Sequence, residues 1–118
     1  MAAKVITPDV LVQPHMASLE MLFYPTQKEN FPASYQGDAF AAEHGSWNRE
    51  NRAGYEVIHI PMHDGRATGE YEDFLTGFVT PDGQVWGRPV GVAVANDGSL
   101  FVTDDGSRSV WHVTYTGK

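Results

Sequence analysis

Two stretches of this chain match each other at one fixed offset. Glu43-His44-Gly45-Ser46 falls on Asp104-Asp105-Gly106-Ser107, 61 residues later, and Phe40 upstream falls on Phe101. Each match joins the end of a short apolar run to a polar turn. A self-match at this period restricts the chain to architectures that stack or rotate copies of one supersecondary unit.

The unit is a β-meander. Residues 18–24, 37–43, 54–62 and 71–78 carry apolar, β-branched or aromatic residues in runs too short and too often ended by Pro or Gly for helices. The 54–62 run is apolar on both alternating faces, which suits a strand covered on both sides. Asp64-Gly65 and Asn96-Asp97-Gly98 are hairpin turn signals. Residues 90–95, 99–103 and 109–115 give three more strands. Residues 10–13 read as a short edge strand, since Pro8 and Pro14 punctuate it. No segment has helical periodicity, so the fold class is all-β.

After the stray N-terminal strand the strands group as four and then three. Four-stranded meanders are the blades of a β-propeller. The expected chain is therefore one domain, a propeller fragment of about two blades. Residues 14–79 form the first, residues 80–118 form a three-stranded second, and residues 5–13 supply an outer strand. Two blades close no ring and leave strand edges and apolar faces in water. The expected solution is a homotrimer, a six-bladed ring in which each N-terminal strand is swapped to complete a neighbour's second blade.

Charge and composition exclude several partners. Fifteen acidic residues against eight basic ones give a net charge of −7, which disfavours nucleic acid. No apolar run reaches the roughly 20 residues that span a bilayer, so no membrane association is expected. The absence of cysteine excludes disulfides and thiolate metal sites. The N-terminus lacks the apolar core of a signal peptide, which leaves the compartment open.

The segments HGSWNR, GYEVIHIP, DGRATGEYEDFLTGF, VWGRPVGVAVANDGSLFVTDDGS and SVWHVTY, with PHMASLEMLFY upstream, resemble the C-terminal blades of the glucose/sorbosone dehydrogenase family. Members are six-bladed quinoproteins that oxidise sugars with pyrroloquinoline quinone (PQQ) and calcium. The resemblance implies a sugar dehydrogenase-like propeller with PQQ and calcium as cofactors, a sugar as small-molecule partner and a periplasmic or secreted location. The blades that carry the family's catalytic histidine base and much of its calcium site have no counterpart in the matching segments. By motif position, Arg88 matches an arginine that meets the quinone carboxylates, and the Trp47-Asn48-Arg49 turn lies in the region of the family's basic turn.

In a propeller meander, the turn between second and third strands and the entry to the innermost strand share one face. That gathers residues 14–17, 44–49, 86–89 and 104–108. His44 is the candidate general base, or else a structural turn histidine. Arg88 and Arg49 bind a planar carboxylate bidentately, with Asn48 and Trp47 beside them as cofactor-binding residues, or else pair with Asp104, Asp105 or Glu43. Asp104 and Asp105 offer oxygen ligands to calcium, or else make an Asx turn. Trp47 and Trp86 stack on a ring or pack between blades. His59 and His112 are expected to be packed and hydrogen-bonded. An assembling module with no catalysis is the alternative function.

Overall fold

Strands form where the apolar and β-branched runs lie, and each stops at a turn rich in Gly, Asp or Pro. The protein is seen here as a computed structural model that describes residues 8–12, 16–26, 30–46 and 54–116. β1 (Ser18–Phe23), β2 (Ala39–Glu43), β3 (Glu56–Ile60) and β6 (Glu72–Leu75) form a four-stranded antiparallel sheet in the order β1-β2-β3-β6. β7 (Pro89–Val94), β8 (Leu100–Asp104) and β9 (Ser109–Val113) form a second, three-stranded meander. Among the described residues there is no α-helix, only a 3₁₀ turn at Ala33–Tyr35. The all-β class and the grouping of four strands and then three are as the sequence implies.

Three details differ. The third run is shorter than 54–62, because Pro61 has no N–H to continue the ladder. Beyond it, β4 (Met62–His63) and β5 (Arg66–Ala67) pair as a separate ribbon. Asp64 and Gly65 both have positive φ, 50° and 76°, as the primed hairpin turn requires. The edge strand expected over 10–13 is absent at residues 10–12, while Gln13 lies outside the described residues. Residues 9, 10 and 12 instead border the outer face of the first sheet, where they pair with no strand edge.

The two sheets pack face to face. Phe40, Ala42 and Val57 of the first meet Val92, Leu100 and Val102 of the second, all buried. Each of the Phe, Val and Leu side chains contributes roughly 1.5–3 kcal/mol on burial, more than an exposed ion pair does. Two polar links tie the sheets together. The Glu20 carboxylate on β1 accepts the Val92 N–H of β7 at 2.8 Å. At the opposite end of the strands, the buried Tyr24 hydroxyl donates to the Gly98 carbonyl at 2.5 Å. This packing sets the strand ends at residues 43 and 104 side by side, and the polar face is built there.

Candidate functional site

β2 ends at Glu43 and β8 ends at Asp104, so the turns after both strands emerge on the same side. His44 Nε2 lies 2.9 Å from Asp105 Oδ1 and bridges the two turns. His44 is largely shielded, whereas Asp105 is exposed. The Asp105 N–H donates to the Arg88 carbonyl at 3.2 Å, which brings the entry to β7 onto the same surface. Met16 and Ala17 join through their carbonyls, which accept the N–H groups of Gly45 and His44. Met16, His44, Arg88, Asp104 and Asp105 therefore do converge. His15, Trp47, Asn48 and Arg49 lie outside the described residues.

Two glycines make this convergence possible. Gly45 has φ 106°, and a Cβ there would sit 2.4 Å from the Tyr55 ring. A Cβ on Gly87 would sit 2.3 Å from the Phe78 ring and 2.7 Å from Asp104 Oδ2. Both turns thus come closer to their neighbours than any side chain allows.

Arg88 forms no ion pair with Asp104, Asp105 or Glu43. Its backbone N–H donates to Asp104 Oδ1 at 2.7 Å. Its Nε is buried and has no hydrogen-bond acceptor. A buried cationic donor without an acceptor is costly, and it fits an anionic group arriving from outside the chain.

Asp104 is committed elsewhere. Its Oδ1 accepts the N–H groups of Arg88, Gly106 and Ser107, and its Oδ2 accepts the Ser107 hydroxyl and the Trp111 indole N–H at 2.7 and 3.0 Å. Burial alone would raise its pKa, but these donors outweigh it and hold the carboxyl down at about 2. Five donors make it the brace of an Asx turn and leave it poorly suited to calcium. No group of three or more His, Asp or Glu with metal-ligand geometry occurs among the described residues.

The first sheet carries a carboxylate cluster that the sequence reading missed. Glu43 is fully buried and stands opposite Glu56 across the β2–β3 ladder. The Ser18 hydroxyl donates to Glu43 Oε2, and Oε1 has no partner. Burial raises the Glu43 pKa, with Ser18 opposing. Glu56 is pushed up to about 8 by burial, by its hydrogen bond to Asp73 and by the charges of Asp73 and Glu43. The signal for this cluster is the strand register, which the long connection between β2 and β3 leaves unspecified.

Trp86 does not stand free. Its indole N–H donates to the Gly77 carbonyl at 2.9 Å, and its ring packs on Phe78 and Trp111. His59 is packed and bonded as expected, between Asp38 and Glu72 at 2.7 and 2.8 Å. His112 is hydrogen-bonded to Ser99 but lies on an exposed face.

The fold has known counterparts. Residues 2–116 match the family model described as TrAA12-like. The chain is 30% identical, over 92% of its length, to a pyrroloquinoline quinone-dependent pyranose dehydrogenase of Coprinopsis cinerea, of which it covers 16%. It is 38% identical, over 86% of its length, to an uncharacterized protein of Borreliella burgdorferi, of which it covers 26%. The PQQ domain of the Coprinopsis cinerea pyranose dehydrogenase superposes with a TM-score of 0.77 and 27% identity, over 97% of this chain and 30% of that one. A Trichoderma reesei enzyme of carbohydrate-active family AA12 superposes with a TM-score of 0.70 at 22% identity, over 92% of this chain and 27% of that one. The chain thus spans about a quarter or less of the length of these curated relatives and resembles a PQQ-domain propeller.

Proposed function

The chain belongs to the TrAA12-like family, and we propose that it is a quinone-binding, sugar dehydrogenase-like module whose polar face takes an anionic cofactor through Arg88. The observation that carries this reading is the buried Arg88 Nε without an acceptor. A guanidinium matches a planar carboxylate in two parallel hydrogen bonds, and PQQ is a tricarboxylate. Arg49, Asn48 and Trp47 belong to the same face by sequence and are proposed to complete the grip.

When bound, PQQ supplies the two-electron acceptor that takes a hydride from a sugar carbon. The protein's part is orientation and proton transfer. With the His44 proton on Nε2 and directed to Asp105, Nδ1 is left as the lone pair that accepts the sugar hydroxyl proton. The imidazolium so formed is stabilised by the Asp105 carboxylate. Calcium is not proposed at Asp104, whose oxygens hold five donors. The face is proposed to lie at the centre of a homotrimeric six-bladed ring, with residues 5–13 as the swapped strand.

The test is a titration of the protein with PQQ, read by quenching of its Trp fluorescence, followed by sugar oxidation with an artificial electron acceptor. The expected result is saturable binding that weakens about 10- to 100-fold in Arg88→Gln, in line with loss of a charge-assisted hydrogen bond. Binding unaffected by Arg88→Gln would overturn the site. Binding without turnover would favour the alternative of an assembling, ligand-binding module, which the engagement of His44 with Asp105 also suits.

A further inference from the structure

We infer that the outer face of the second sheet, around Phe101 and Val110, is a docking surface for the outer face of the first sheet, around Met21 and Phe23, of a second copy of this chain. The inference rests on the ring proposed above and names the surfaces that close it.

The ladders supply the argument. Opposite Phe40 across β2 and β3 stands His59, and opposite Phe101 across β8 and β9 stands His112. The two Phe–His pairs stack alike, with centroids 5.3 Å apart at 30° in the first and 4.7 Å at 17° in the second. Each histidine Nε2 is bonded 2.7 Å away, His59 to Asp38 and His112 to Ser99. Asp38 and Ser99 are themselves 61 residues apart in the repeat. Continuing one step along the ladder, Val57 stands opposite Ala42, and Val110 opposite Thr103. The face that the first sheet buries inside the molecule is therefore rebuilt on the outside of the second.

The difference is exposure. Phe40 and Val57 are both 0% exposed, whereas Phe101 and Val110 are 38% and 63% exposed. The same equivalence works in reverse. Met21, Ala41 and Ile58 occupy, on the outer face of the first sheet, the ladder positions of Val92, Val102 and Trp111 on the inner face of the second. Met21 and Phe23 are 56% and 54% exposed and line, together with Val10 and Val12, an open apolar trench of about 440 Å³. Each outer face thus has, inside the same chain, a template of what covers it.

Charge complementarity points to the same partner. The junction between the two sheets carries the His44–Asp105 pair, and these residues hold equivalent repeat positions. Repeating the step between copies sets Asp105 of one chain against His44 of the next. The junction then sets an acidic flank beside an imidazole, with the two sheets' roles exchanged and Nδ1 of that imidazole left to the substrate. Such a contact is head-to-tail, so it propagates until the ring closes.

The experiment is native mass by light scattering for the 118-residue chain and for two variants at exposed positions, Val110→Lys and Met21→Lys. Wild type is expected as a trimer, three times 13.0 kDa or about 39 kDa. Each variant alone is expected at 13.0 kDa, with unchanged far-ultraviolet circular dichroism. Mixed, they keep one good face each, and a species of about 26 kDa is expected. A wild-type trimer that survives both substitutions overturns the surface assignment and leaves the ring. A wild-type monomer overturns closure by copies and assigns the trench to residues 8–12 or to a different polypeptide. Either result leaves the PQQ titration of Arg88 to be judged separately.

Discussion

Glu43 and Asp104 occupy the same position in the two halves of the repeat, each the last residue of its sheet's second strand and each buried. Their protons behave oppositely. Asp104 is held down at about 2, whereas the Glu43 pKa is raised. Burial disfavours the charged form of both. What differs is reach and neighbourhood. The short Asp side chain folds back onto the N–H groups of its own turn, Gly106 and Ser107, and onto Arg88 and Trp111. The longer Glu43 carries past its turn to one hydroxyl, Ser18. Across the ladder, Asp104 faces Ser109 while Glu43 faces Glu56. One strand-end position thus yields an anionic brace in one sheet and a proton-holding cluster in the other.

The comparison breaks first at Asp104. Replacing it with Ala strands an indole N–H and three backbone N–H groups. Asp104→Ala is expected to cost about 3–5 kcal/mol, measured by urea unfolding. A loss under about 1 kcal/mol would mean that the five contacts contribute little and that the two carboxylates are alike after all.

The next effect is pH dependence, and its sign separates the two sheets. A carboxyl with a raised folded pKa keeps its proton where the unfolded chain has lost it, so stability falls as pH rises through that window. For Glu56 the window runs from 4.5 to about 8. For Asp104 the lowered pKa gives the reverse, a contribution present above 3.8 and lost as pH falls toward 2. The protein is therefore expected to be most stable near the lower edge of the Glu56 window. Glu56→Gln, which mimics the protonated acid beside Asp73, is expected to make the decline above that optimum much shallower. After discounting for the partial exposure of Glu56, the gain at pH 8 is about 1–2 kcal/mol. Thermal melts of both proteins across this range would show it, and parallel curves would refute the cluster.

The brace was legible in the sequence as an alternative reading, because Asp-Asp-Gly-Ser is an Asx-turn pattern. The strands were legible too, since alternation and turn residues act locally. The cluster was not. Whether Glu56 opposes Glu43 depends on the register across residues 44–55, and no tight turn fixes a register over so long a connection. The Arg88 and Trp111 contacts of Asp104 are likewise set by packing between segments, not by spacing. Residues 10–12 follow a related rule. Their pattern suits a strand, but a strand exists only where an edge receives it, and within one chain they meet none.

The smallest expected effect is the most discriminating. Glu43→Gln keeps the shape of the side chain, the Ser18 contact and the buried position, and removes only the ability to ionise. In acid, where the Glu43 carboxyl carries its proton, the substitution changes little, within about 1 kcal/mol, and where Glu56 titrates it removes the Glu43 charge from beside it. The Glu56 pKa, followed by NMR of its side-chain carboxyl, is then expected to fall, because one of the charges that raise it is gone. The corresponding swap in the second sheet, Asp104→Asn, exchanges an acceptor-only group for one that carries two N–H donors into a ring of five donors, and is expected to cost several-fold more. Equal costs at both positions would mean that Glu43 is ionised in the fold and that its buried charge is met by a donor other than Ser18. The contrast between the sheets would then lie in how many donors each carboxylate gathers and no longer in whether it keeps its proton.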